Sequence, residues 1–322
     1  MRIRFFIFYL IGIIVWALFT LFISKVNYET DNKSIDDLYD EFKPDLLSQD
    51  NPHNFRYLIN PGPSICSTNL VLIAFVCISP ASFEHRNLIR QTWANWKLFP
   101  SIRAVFLVGL SSNKTLNSML ITESETYGDI VQEDFMDTYD NLTLKTVMGL
   151  KWVSTYCSNS KFTLKVDDDV VVNVPVLIKF LKNQINFGKD KNYYMGSLQQ
   201  NAIILRDKKS KWFIKEEELN GKYYPSYHQG PAYMFSTDLA AKLYQTSLNT
   251  QFFRFEDIYL GVLANRAVLN QFRKINYLVL IPFGPYKYSN VPSSDVDRSK
   301  FWIMILKVIE MILVWIIDRI MI

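Results

Sequence analysis

Three consecutive aspartates, Asp167, Asp168 and Asp169, stand between two apolar stretches, KFTLKV before them and VVVNVPVL after. Like charges a few ångströms apart raise one another's pKa, and a divalent cation resolves the conflict. All-oxygen donors suit Mg²⁺ or Mn²⁺, which take one or two carboxylates and fill the rest of their shell with waters and diphosphate oxygens. The apolar flanks argue that these carboxylates emerge from a core and not from a solvated turn. A second acidic pair, Glu256-Asp257, sits in FRFEDIYLG among aromatic residues. Partly desolvated carboxylates gain pKa and can take a proton from a hydroxyl nucleophile; the same pair also suits a helix N-terminus, and the two roles are compatible. Between the two acidic sites lies YYPSYHQGPAY, Tyr223 to Tyr233, with four tyrosines, one His and one Gly. Flat rings with polar tips suit the face of a sugar as well as an ordinary core.

The surrounding patterns say what positions these groups. NLVLIAFVCIS (69–79) and RAVFLVG (103–109) are apolar, β-branched runs of the kind buried on both faces of a sheet. Helical spacing over 83–96 and 140–156 alternates with them, which predicts an α/β fold with a largely parallel sheet. Phe162, Leu164 and Val166 alternate with Lys161, Thr163 and Lys165, the pattern of a half-buried strand, and this strand runs straight into the aspartates. In open α/β sheets ligands bind beyond the carboxyl ends of strands, so the triplet is expected to face a phosphorylated donor.

Six segments in order resemble the motifs of the β-1,3-galactosyltransferase and β-1,3-N-acetylglucosaminyltransferase family: RNLIRQTW (86–93), FLVG (106–109), DIVQEDFMDTYDNLTLKTVMGLKW (129–152), LKVDDDVVVN (164–173), YPSYHQGPAY (224–233) and FEDIYLG (255–261). The resemblance implies a GT-A-like, Rossmann-like mixed-sheet domain, a UDP-sugar donor (UDP-galactose or UDP-N-acetylglucosamine), a Mn²⁺ or Mg²⁺ ion, and inverting transfer in β1,3 linkage to a glycan on a glycoprotein or glycolipid. It assigns Asp167 and Asp169 to the metal and Asp167 with Asp168 to the donor. Asp257 becomes the general base with Glu256 beside it, and Tyr227, Gly230 and Glu256 line the sugar pocket. Arg86, Arg90 and Lys145 are expected to face the donor phosphates, and Cys66 and Cys157 to form a disulfide. The chain departs from that pattern in having no His after His228, which leaves His228 as the substitute metal ligand, and in a glycine segment reduced to Gly230-Pro231-Ala232.

Residues 5–23 form an uncharged apolar run, long enough at about 1.5 Å per residue to span a bilayer as a helix. Arg2 and Arg4 precede it, so positive-inside bias predicts a type II signal anchor with residues 1–4 cytosolic and the rest lumenal. Residues 24–64, rich in acid and proline, read as a stem, 65–299 as the catalytic domain, and 300–322 as an amphipathic helix. That layout is the one found in Golgi glycosyltransferases, and sequons at Asn32, Asn113 and Asn141 suit a secretory lumen. A net charge of +4 without a basic run argues against nucleic acid as a partner, and three cysteines against a disulfide scaffold. Two other functions compete: a family member without turnover that serves as a partner of an active transferase, and a metal-dependent phosphohydrolase. A hydrolase needs no stem.

Overall fold

The computed structural model describes residues 53–66, 70–268, 272–274 and 280–282. Eight strands form one mixed sheet: Tyr57–Ile59 (β1), Leu72–Cys77 (β2), Ile102–Leu110 (β3), Ile130–Met136 (β4), Phe162–Asp167 (β5), Tyr194–Gln199 (β7), Tyr227–Ser236 (β8) and Phe272–Lys274 (β9), in the order β1-β4-β3-β2-β5-β8-β7-β9. The four strands β4-β3-β2-β5 are parallel, while β8 runs antiparallel to both β5 and β7. Val170–Val172 (β6), which follows the aspartates, pairs separately with Leu280–Pro282 (β10).

Among the described residues six α-helices cover the sheet: Phe83–Gln91 (α1), Lys114–Tyr127 (α2), Leu142–Tyr156 (α3), Val174–Asn186 (α4), Thr237–Ser247 (α5) and Glu256–Val268 (α6). Their ends carry local signals. Asn113 caps α2 by accepting the backbone N–H of Thr115, and Gly128 closes it at φ 61°, in the left-handed region that favours glycine. Asn173 caps α4 with proline in its first turn. Alternate residues of the central strands then feed two separate cores. Phe75, Leu107 and Val131 pack with Leu150 and Trp152 of α3, Leu243 of α5 and Leu263 of α6. Val76, Phe106 and Val108 pack on the opposite face with Ile89 of α1, Leu120 of α2 and Leu177 of α4.

This topology has a switch point. From β2 the chain lays β3 and β4 to one side, then returns through α3 to place β5 on the other side of β2. Cys77 at the end of β2 is in register with Asp167 at the end of β5, so the acidic triplet emerges where ligand crevices open in such sheets.

Two expectations need correction, and the boundary at 65 gains a neighbour: residues before it join the sheet, since β1 is an edge strand paired with β4 and Lys151 of α3 donates to the carbonyl of Phe55 at 2.9 Å. Its proline-rich flanks hide three residues of strand. Strand β5 is not half-buried, since Thr163 is 0% and Lys165 1% exposed; its polar side faces other polar groups of the protein instead of water. Helix α1 ends at Gln91, with Thr92 outside helical geometry, so Trp96 is not part of it. The apolar run 5–23 expected to be an anchor, the sequon at Asn32 and the segment 300–322 lie outside the described residues, and no helix among the described residues is long and apolar enough to cross a membrane.

Candidate active site

Lys165 is the hub. One strand position before Val166 and two before Asp167, it points to the same face as Asp167. Its ammonium donates to Oδ1 of Asp167 at 2.6 Å, to the carbonyl of Gly230 on β8 at 2.6 Å and to Oε1 of Glu256 on α6 at 2.8 Å. Burial works against the charge, but the Asp167 and Glu256 carboxylates outweigh it and hold the Lys165 pKa well above the ordinary value. A lysine buried this fully persists only because every donor has an acceptor.

Glu256 is fully engaged. Besides Lys165 it accepts the Tyr233 hydroxyl at 2.8 Å and the Thr146 hydroxyl at 3.3 Å, both on Oε2. Asp257, the next residue, keeps a partly open carboxylate. Its Oδ2 accepts the Gly230 N–H at 3.1 Å, and its Oδ1 accepts the N–H of Ile258 at 2.9 Å. Burial first, then the Glu256 charge, raises the Asp257 pKa to about 7. A carboxylate so tuned is half ionised at neutral pH and fit to accept a proton there. Gly230 makes this approach possible: a Cβ there would stand 3.0 Å from Oε1 of Glu256 and 3.4 Å from Oδ2 of Asp257. Tyr227, three residues earlier on β8, is half-buried, and its hydroxyl pKa is raised by burial and by Asp257.

The triplet divides its work. Asp167 has one oxygen on Lys165, and burial outweighs that contact to raise its pKa to about 6. Oδ2 of Asp168 is 3.0 Å from Nδ1 of His85, at the start of α1. Asp169 is exposed, its pKa raised by burial of the carboxyl and by the Asp168 charge. Among the described residues no group of three or more His, Cys, Asp or Glu side chains forms a closed metal cage. Asp167 and Asp169 still fit an ion of the Mg²⁺ or Mn²⁺ type, because such ions need only one or two carboxylates when a diphosphate supplies further oxygens.

Other expected residues are placed elsewhere. The Arg86 guanidinium, 1% exposed, donates to both oxygens of Glu123 at 2.8 and 2.7 Å and to the carbonyls of Ser79 and Pro80. Arg90 spans Asp129 and Glu123, each contact at 2.7 Å. Lys145 donates to the Ile78 carbonyl at 2.8 Å and to Asp137 at 3.0 Å. These three cations are engaged by carboxylates on α2 and on either side of β4 and by carbonyls of the loop after β2. His228 is 0% exposed and packs edge-on against Tyr194, with ring centres 4.4 Å apart and burial lowering its pKa to about 4. Cys66 and Cys157 are joined as a disulfide with Cα atoms 5.5 Å apart, and Cys77 is a buried free thiol. Asn113 is exposed at its helix cap, while Nδ2 of Asn141 donates to the carbonyl of Met136 at 2.8 Å.

Sequence reasoning missed Lys165 and His85. The first carried a signal, a lysine inside an apolar run and on the same strand face as an aspartate two residues on. The second carried none, since 83 positions separate it from Asp168.

The galactosyltransferase family model matches residues 84–273, more than half of the chain and the whole of the site just described. The chain belongs to the galactosyltransferase family. Mouse and human beta-1,3-galactosyltransferase 1 are each 36% identical to it over 231 residues, covering 70% of this chain and 70% of theirs. Human beta-1,3-galactosyltransferase 2 is 35% identical over 265 residues, covering 78% of this chain and 62% of that one. The chain is thus a glycosyltransferase by descent, and its acidic clusters lie inside the shared region. Among solved structures, the mannosyltransferase Ktr4p from S. cerevisiae covers 77% of this chain and 80% of its own, with a TM-score of 0.35 and 10% identity. An active-site mutant of LgtC has a TM-score of 0.33 at 12% identity, covering 64% of this chain and 73% of its own. Neither score is high enough to carry an argument.

Proposed function

We propose that this protein is an inverting, metal-dependent β-1,3-galactosyltransferase of GT-A type that uses UDP-galactose and acts on a glycan acceptor. Galactose is preferred over N-acetylglucosamine because the relatives quoted above are named for it. The observation that carries the reading is the Lys165 bridge, which holds the donor-side Asp167 and Glu256, the neighbour of Asp257, on one buried ammonium.

In this scheme Asp257 accepts the proton of the acceptor hydroxyl as its oxygen bonds to the anomeric carbon. The bond from that carbon to the diphosphate oxygen breaks, its electrons leave with UDP, and one displacement inverts the centre. Glu256, with both oxygens engaged by Lys165, Tyr233 and Thr146, is not free to attack the sugar, which supports a single step over a covalent intermediate. A divalent ion held by Asp167 and Asp169 would neutralise charge on the departing diphosphate. Lys165 and the Gly230 backbone keep the base at a fixed distance from that end of the site. The protein is assigned to the Golgi membrane as a type II anchored enzyme with its catalytic domain in the lumen, on the apolar run 5–23 and the charges before it.

The test is a transfer screen on the full-length chain in detergent, with UDP-galactose and UDP-N-acetylglucosamine, with and without Mn²⁺. Metal-dependent formation of a β1,3-galactosylated product is expected. Asp169→Ala should weaken UDP binding, whereas Asp257→Asn should bind UDP and transfer nothing. Parental rates in both variants overturn the roles, and UDP binding without turnover on any acceptor pool favours the silent-partner reading.

A further inference from the structure

The segment between β7 and β8, residues 200–226, has almost no regular structure but is firmly held. Ile204, Ile214 and Leu219 are buried in the core, and the Arg206 guanidinium donates to the carbonyls of Ile214, Leu219 and Gly221 at 2.9, 2.6 and 3.1 Å. The tip between those anchors is exposed and carries Lys208, Lys209, Lys211 and Trp212. The Lys211 ammonium lies 4.5 Å from the Trp212 ring centre and 5.5 Å from that of Tyr139, in the turn between β4 and α3. Trp212 is 48% and Tyr139 52% exposed, so two aromatic faces and a cation share one open surface.

That surface is tied to the proposed base. Arg254, two residues before α6, donates to the carbonyl of Phe213, reaches Glu218 at 3.4 Å and lies 4.0 Å from Asp140. One side chain thus binds both halves of the aromatic face to the turn that presents Asp257. Ion pairs leave the tip lysines alone: among the described residues none engages Lys208, Lys209 or Lys211. Of the acids in this segment, Asp207 accepts the backbone N–H of Lys209 at 3.0 Å, Glu218 turns to Arg254, and Glu216 and Glu217 are exposed and follow Ile214 in sequence.

We infer that Tyr139, Trp212 and the lysines of residues 208–211 form an acceptor subsite for a glycan carrying a carboxylate or sulfate next to the sugar that is glycosylated. This rests on the transferase reading. Exposed aromatic faces cover the apolar face of a sugar ring while their polar tips stay wet, and unpaired lysines beside them select an anionic neighbour.

The test uses the full-length chain in detergent and matched oligosaccharide pairs that differ only in a carboxylate or sulfate on the sugar next to the accepting one. The parent should show a lower acceptor KM for the anionic member. Trp212→Ala should raise the acceptor KM about 3–10-fold for both members. Lys211→Glu should raise it about 2–5-fold for the anionic member alone, with the donor KM unchanged. Equal KM for both members in the parent, or parental KM in both variants, overturns the subsite. Binding of each pair without donor is followed by intrinsic fluorescence. Transfer without anion preference leaves the transferase and removes the subsite; selective anionic binding with no transfer does the reverse. A chain that neither binds nor transfers overturns both.

Discussion

Nζ of Lys165 lies 2.8 Å from Oε1 of Glu256, a contact between the middle of the sheet and the first turn of α6 across 91 residues of sequence. It neutralises a carboxylate that would otherwise stand beside Asp257 with its full charge. Removing one partner of such a buried pair costs about 3–5 kcal/mol. Lys165→Met is therefore expected to lower the thermal midpoint and both UDP binding and transfer. Lys165→Met combined with Glu256→Gln should regain part of the stability and none of the transfer, as read by calorimetry beside a rate assay.

The pH dependence follows from Asp257. Its pKa is raised from 3.8 to about 7, and a base must be ionised to accept a proton. Transfer should rise with pH to a plateau above about 7 and fall about tenfold for each unit below about 6. A profile at saturating donor and acceptor, with binding of UDP followed in parallel, separates this limb from loss of donor.

Arg86 discriminates scaffold from site. With both Glu123 oxygens and two carbonyls on its guanidinium, Arg86→Met should destabilise the protein by about 3–5 kcal/mol. At temperatures where the variant stays folded, its donor KM should match the parent within a few-fold. A selective rise in donor KM with parental stability would return Arg86 to the phosphates.

The Cys66–Cys157 disulfide closes 91 residues and ties the segment after β1 to the end of α3. On chain-entropy grounds a loop of that size gives about 4–5 kcal/mol. The Cys66→Ser, Cys157→Ser double variant should melt well below the parent, while its UDP affinity at low temperature stays unchanged.

How far the sequence discloses all this depends on whether a residue's partner is near it. Strands β2 and β3 are legible because Leu72–Cys77 and Ala104–Leu110 are continuous runs without a charge that need no distant partner to declare themselves. The triplet and the Glu256-Asp257 pair are legible for the same reason. Thr163 and Lys165 mislead, since period-two alternation normally marks a wet face, and here Thr237 and Glu256 replace the water. Arg86 and Arg90 sit in a motif-like helix next to the site, but Glu123 and Asp129, which claim them, are on and just after another helix. Strand β1 has three residues between prolines and borrows its regularity from β4.

Strand β10 has a part to play that its three residues understate. Leu280, Ile281 and Pro282 are zipped to Val172, Val171 and Val170, the residues that leave the aspartates. A late stretch of the polypeptide is in this way a splint for the strand that leaves the triplet, and a version of the protein cut short before Leu280 would keep Asp167, Asp168, Asp169, Glu256 and Asp257 yet lose the strand that pairs with β6.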